Sequence, residues 1–197
     1  MNNTNRREFL KTSVKGAAVL GVGLSSLSLL TTAQAAADKA DVSMPGDKKP
    51  VTNEELFRMG VIGPAELSLI SSKLALEKAT DKDVKEFAGF EHTEAIAVTS
   101  VLKQLGTAVP APDAKAKATM EKLESASKGA EFDKAYIMAQ YENHVFLRDH
   151  AADYLERAQG GKDSMPELQG QHLATLALAT FKEHVAITKR ISGELKA

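Results

Sequence analysis

The stretch Val84-Lys85-Glu86-Phe87-Ala88-Gly89-Phe90-Glu91-His92-Thr93-Glu94-Ala95 decides how this chain reads. Continued through Val98, Leu102 and Leu105, its apolar residues recur every three or four positions, the signature of one helix face at about 100° per residue. Glu91 falls near the centre of that face and His92 on its flank, in the place of core residues. An unpaired buried charge costs several kcal/mol or shifts its pKa until it is neutral. A helix that puts an acid and an imidazole there needs partners from elsewhere in the chain.

The rest of the sequence is punctuated as helices. Asp81 or Asp83 caps this helix, which spans roughly 82–105, and Gly106 ends it. Before it, residues 53–79 read as a helix bent or restarted at Gly63-Pro64, since Pro64 suits a first-turn position. Pro110 and Pro112 mark a turn, and the Ala/Lys segment at 114–126 reads as a short outlying helix. A third long helix is expected from Phe132 to Ala158, stopping at Gly160-Gly161, and a fourth from Met165-Pro166 to about Ile191, with a break near Gly170. Strand-like alternation is missing. The expectation is an all-α fold: an antiparallel four-helix bundle over residues 53–197, with a short extra helix in the connection between its second and third long helices.

Each long helix repeats the oddity. Leu173, Ala177, Ile187, Ile191 and Leu195 form a stripe with His184 in its middle. Tyr136, Ile137, Leu147, Ala151 and Leu155 share a face with His144, Gln140 and Asp133. On the first helix Ile62, Glu66, Ile70 and Leu74 follow one ridge at four-residue spacing. The candidate set is therefore Glu66, Glu91, His92, His144 and His184. Two readings fit it. A divalent cation satisfies them all, Glu and His on facing helices being the usual way a bundle builds a metal site; or they satisfy one another in a metal-free polar network. His150, His172 and Glu94 lie away from the stripe centres and read as surface residues, and Tyr136, Tyr141 and Tyr154 as packing. A di-iron site of ferritin type needs Glu-x-x-His on two helices, but Gly89, Tyr141 and Phe181 stand three residues before His92, His144 and His184. A single ion on mixed nitrogen and oxygen ligands (Fe, Mn, Zn or Cu) is the metal reading that remains.

The N-terminus and composition narrow the setting. Arg6-Arg7-Glu8-Phe9-Leu10-Lys11, a mildly apolar run at Gly16–Leu30 and Ala33-Gln34-Ala35 read as a twin-arginine-type signal peptide over 1–35, which implies a periplasmic protein. Such substrates typically cross the membrane folded, often with a cofactor loaded. Residues 36–52, with Pro45, Gly46 and Pro50, read as a flexible lead-in. Removing 1–35 takes away four basic residues and one acid, leaving 21 Lys+Arg against 25 Asp+Glu and a net charge of −4. Nothing in that balance favours nucleic acid, whose backbone demands clustered positive charge. No second hydrophobic run predicts a stable membrane span after the signal. Cysteine is absent, which excludes disulfides, thiolate zinc sites and iron–sulfur clusters.

Ala65-Glu66-Leu67 with Lys73-Leu74-Ala75, Val84-Lys85-Glu86-Phe87-Ala88, Glu91-His92, Phe132-Asp133-Lys134-Ala135-Tyr136, His144 and Lys182-Glu183-His184 follow in order over roughly 54–190. In these the chain resembles a bacterial exported family catalogued as domain of unknown function 4142 and described as ferritin-like. The chain departs from the family pattern in having Glu91 where Asp is usual and in lacking a proline just before the last histidine. The resemblance implies a periplasmic or envelope ferritin-like bundle and supplies no settled activity. Three functions are consistent with the residues: a metal-binding bundle with a redox or metal-handling role; a non-enzymatic envelope or stress interaction protein whose polar network fixes helix register; and a heme-binding bundle, disfavoured because the nearby carboxylates suit a bare cation. No separate base, nucleophile or phosphate loop marks an enzyme. Convergence of the Glu and His side chains discriminates the metal reading.

Overall fold

Thr52 begins the first helix with a reciprocal cap: its hydroxyl accepts from the Glu55 amide at 3.2 Å, and the Glu55 carboxylate accepts from the Thr52 amide at 2.8 Å. The computed structural model describes residues 51–158 and 164–195. The signal, all but the end of the lead-in, and the Gly160-Gly161 stop lie outside the described residues. Within them all regular structure is helical, in five elements: α1 (Asn53–Lys78), α2 (Lys82–Gln104), α3 (Ala114–Ser125), α4 (Ala130–Arg157) and α5 (Met165–Glu194). The all-α expectation holds, and α3 is the extra helix expected between the second and third long ones.

The local signals explain most of the boundaries. Asp81, rather than Asp83, caps α2, accepting from the Asp83 and Val84 amides at 2.9 and 3.1 Å. Gly106 follows α2 with φ at 79°, the left-handed conformation that glycine enters without a Cβ penalty. Asp113 and Ser164 cap α3 and α5.

Neither the expected restart at Gly63-Pro64 nor the expected break near Gly170 is present. α1 continues through Gly63-Pro64 and α5 through Gly170. Burial on both sides of Pro64, at Val61, Ile62 and Ala65, favours one continuous helix over the break that proline favours locally. Gly170 answers a tertiary demand. A Cβ there would lie 2.4 Å from Glu54 Cγ and 2.7 Å from the Tyr154 hydroxyl, so a bare backbone is what lets α5 approach α1 and α4.

α1 packs on α2 and α4, and α4 on α5. Contacts climb α1 as they descend α4. Phe57 stacks on Tyr154 at 4.7 Å, Ser68 bonds Gln140 at 3.1 Å, and Ser72 bonds Tyr136 at 2.8 Å. The α4–α5 contacts run the same way, from Tyr154 with Glu167 through His144 with His184 to Met138 with Ser192. α1 is long and apolar enough to cross a membrane by length and composition. Its residues Phe57, Val61, Ile62 and Ala75 are nevertheless buried in the protein core.

That core has two apolar halves. One gathers Val84, Phe87, Leu123, Phe132, Tyr136, Ile137 and Ile191; the other gathers Phe57, Val61, Ile62, Leu102, Leu147, Tyr154 and Phe181. A band of buried polar side chains, from Ser68, Ser72, Glu91, Gln140, His144 and His184, accompanies them. Near one end, buried Asp133 on α4 accepts from the Thr80 amide and hydroxyl and from the Asp81 amide at 2.8–3.3 Å. One carboxylate so ties the α1–α2 turn to α4.

Candidate metal centre

Helical spacing delivers the side chains. On α2 the buried positions are Val84, Phe87, Ala88, Glu91, Ala95, Thr99 and Leu102, so Glu91 belongs to the inward face. Gln140, His144, Leu147 and Ala151 follow one line on α4, and Phe181, His184, Thr188 and Ile191 another on α5. The three ionisable groups meet. Glu91 Oε2 lies 3.2 Å from His144 Nε2 and 2.9 Å from His184 Nδ1, and the two imidazole nitrogens are 3.1 Å apart. All three residues are at most 5% exposed.

Hydrogen-bond roles set the chemistry. His144 Nδ1 faces the Gln140 carbonyl at 2.8 Å and must donate to it, because a carbonyl only accepts. In the neutral ring Nε2 then carries a lone pair, and it faces the Glu91 carboxylate. Two acceptors that close repel unless a proton or a cation lies between them. His184 presents Nδ1 to Glu91 and Nε2 to Glu94 Oε2 at 3.1 Å, a carboxylate at each nitrogen.

The protonation equilibria follow. Burial pushes the Glu91 carboxyl up, but the bonds it accepts when the His144 and His184 rings carry a proton toward it outweigh burial and hold the group well below the ordinary carboxylate range. For His184 burial disfavours the charged ring, yet the bond to Glu91, reinforced by the charges of Glu91, Glu94 and Glu183, raises its pKa. Glu94, half-exposed, is shifted upward by partial burial, with His184 pulling the other way.

A metal ion fits this triangle. Donors about 2.0–2.1 Å from an ion, at bond angles of about 90–110°, lie about 2.9–3.4 Å from one another. The observed separations of 2.9, 3.1 and 3.2 Å fall in that interval. Each imidazole also has the outer partner that metal-bound histidines use, the Gln140 carbonyl for His144 and Glu94 for His184. The rings are wedged by Phe87, whose edge contacts both, and His144 also by Phe181. Gln140, which holds His144, is itself held by Ser68 and Ser71 at 3.1 and 2.9 Å. A cavity of about 260 Å³ adjoins Glu91, His144 and His184.

Of the five candidates, the structure brings together Glu91, His144 and His184. Glu66 stands apart, paired with Lys103 on α2. The inward line of α1 runs through Ile62, Ala65, Ser68, Ser72 and Ala75, so the ridge carrying Glu66 and Ile70 lies on its flank. His92 is half-buried, one helical step of about 100° round from Glu91, and outside the group. Glu94 belongs to the site, against the surface reading. Its signal was the Glu91-x-x-Glu94 spacing, which puts two carboxylates on one side of a helix. His150 is also more than a surface residue: its ring stacks on Phe57 and Phe146, and Nε2 lies 3.1 Å from the Phe57 carbonyl.

The family model described as Domain of unknown function (DUF4142) matches residues 63–191. The chain belongs to that family. The matched span runs from within α1 to within α5, so Glu91, Glu94, His144 and His184 all lie inside the matched domain of this chain. Comparisons with curated proteins and with solved structures return no match.

Proposed function

We propose that this protein is an exported, periplasmic four-helix bundle of ferritin-like type that binds one divalent transition-metal ion through Glu91 Oε2, His144 Nε2 and His184 Nδ1. The observation that carries the reading is the convergence of His144 Nε2, 3.2 Å from the Glu91 carboxylate, with His184 Nδ1 3.1 Å away, a set of donor atoms that a cation completes. The opposite-running contacts of α1 with α4 and of α4 with α5 support the bundle, and the Arg6-Arg7 motif supports the export route. A mixed N₂O donor set without thiolate suits Zn, Fe, Mn or Cu and an oxidising compartment. Three protein ligands leave further positions for exchangeable ones, the pattern of a site that handles metal or does chemistry rather than a closed structural site.

A second reading has its own observation. His184 lies between Glu91 and Glu94 with a raised pKa, so a single imidazolium can hold both carboxylates without any metal. On that reading the protein is a non-enzymatic envelope interaction protein with an ionic pin through its core.

One experiment separates the two. The full chain, expressed with its own signal and purified from the periplasm without chelator or histidine tag, is analysed by plasma mass spectrometry. Near-stoichiometric metal that disappears in a His144→Ala/His184→Ala double variant is expected. A folded wild-type protein that is metal-free and takes up no added Zn²⁺, Mn²⁺, Fe²⁺ or Cu²⁺ rules the metal site out and leaves the ionic pin.

A further inference from the structure

The cavity beside the triad is walled by α2 on one side and α5 on the other, with α1 and α4 behind. Its chemistry is uneven. At one place it meets Glu91, His144 and His184, the three residues whose donor atoms converge. Much of the remaining wall is apolar, including Val61, Ala65, Ala95, Val98, Ala177 and Phe181. The alanines on three helices hold the space open, since larger side chains there would fill it.

Its charge is equally specific. Among the described residues no lysine or arginine lines the cavity, and the ionisable groups on it are the two imidazoles and the carboxylates of Glu91 and Glu94. With a divalent ion on the triad and neutral imidazoles, the two carboxylates balance the ion. A bound anion would then lack a counter-charge, and a bound cation would face the ion itself.

We propose that this cavity takes an uncharged small molecule that puts one nitrogen or oxygen donor atom on the ion and lays an apolar body between α2 and α5 against Ala95, Val98, Ala177 and Phe181. The inference rests on the metal reading above. It adds that the open coordination position faces the chamber and that the chamber selects the ligand. At about 260 Å³ the volume lies slightly below the range of about 300–1,000 Å³ common to drug-sized ligand sites, which suits an occupant of one or two small rings.

The test uses the full chain loaded with Co²⁺, whose visible absorption reports its ligands, and 4-phenylimidazole as the probe. Imidazole serves as the donor without a body, and acetate as the anion. A saturable spectral change is expected with both imidazoles, with 4-phenylimidazole bound at least about tenfold more tightly because its phenyl group leaves water. Acetate should bind more weakly than either. Val98→Phe and Ala177→Phe, which fill the chamber from α2 and α5, should each weaken 4-phenylimidazole about tenfold or more while leaving Co²⁺ and imidazole affinity within about twofold. Two variants on different helices guard against one of them failing to fold, and the comparison of ligands in the wild type requires neither. Bound Co²⁺ whose spectrum ignores the probe, equal affinities for the two imidazoles, or tighter acetate binding overturns the chamber while leaving the metal site intact. Failure to take up Co²⁺, or any other divalent ion, overturns both.

Discussion

Replacing Glu91 with Gln tests the electrostatics of the metal-free site directly. The substitution keeps the shape and one carbonyl acceptor but removes the charge that His184 faces at 2.9 Å. Breaking a buried ion pair by neutralising one partner costs about 3–5 kcal/mol when nothing else compensates. Here Glu94 still faces the other ring nitrogen, but its side chain is 45% exposed and its pull is screened by water, so we expect about 2–4 kcal/mol at pH 6. For a domain of this size that is about 6–12 °C in Tm.

The pH dependence carries the argument. The raised pKa of His184 means its stabilising contribution is fully present below the unfolded value of about 6.5 and is lost as pH rises through the folded value. The depressed pKa of Glu91 gives a contribution present above about 4.5 and lost as pH falls through its folded value. The difference between wild type and Glu91→Gln is therefore largest between about pH 4.5 and 6.5 and shrinks toward pH 9. The assay is thermal unfolding followed by circular dichroism at 222 nm, in chelator, at pH 6 and pH 9. Equal Tm losses at the two pH values would mean that Glu91 does not hold an imidazolium, and the assignment of charge in the site would be wrong.

Two further outcomes bear on the scaffold. Asp133→Ala strands the Thr80 and Asp81 amides at the α1–α2 turn and should lower stability by about 2–4 kcal/mol, read by urea unfolding; a loss under about 0.5 kcal/mol would show that water replaces the carboxylate without penalty. Gly170→Ala drives a methyl group to within 2.4 Å of Glu54 Cγ and should cost about 1–3 kcal/mol despite alanine's better helix propensity, whereas an unchanged or raised Tm would contradict the close approach of α5 to α1.

What the sequence made legible depended on contrast. On α2 and α5 one ionisable residue stands among mostly apolar or small buried ones, so Glu91 and His184 stand out and both are buried, although on α5 Thr188 takes the inward place and Ile187 of the expected stripe is exposed. α1 offers no such contrast. Its inward line includes Ser68, Ser71, Ser72 and Ala75, while Met59, Ile70 and Leu76 face solvent, so hydropathy points to the wrong ridge and to Glu66. The cap at Asp81, one of the two aspartates the sequence offers there, is local chemistry and was readable. The continuity of α1 through Pro64 and of α5 through Gly170 is decided by neighbours far away in sequence. Glu94 was missed for a related reason: its role exists through the far nitrogen of His184, ninety residues on.

The division of the donors between helices has a consequence for how the chain avoids mistakes while folding. α1 and α2 are joined by a short turn and pack on each other, and so do the consecutive helices α4 and α5. Glu91 comes from the first pair and both imidazoles from the second. Before the pairs meet, each exposes a greasy surface with an ionisable group in its middle. Two copies of the first pair that met by accident would press carboxylate on carboxylate, and two copies of the second would leave their imidazoles without a carboxylate. Like charges or unmatched polar groups in a closing interface cost several kcal/mol. The same three side chains that organise the finished core therefore favour the correct pairing over a second copy of either pair.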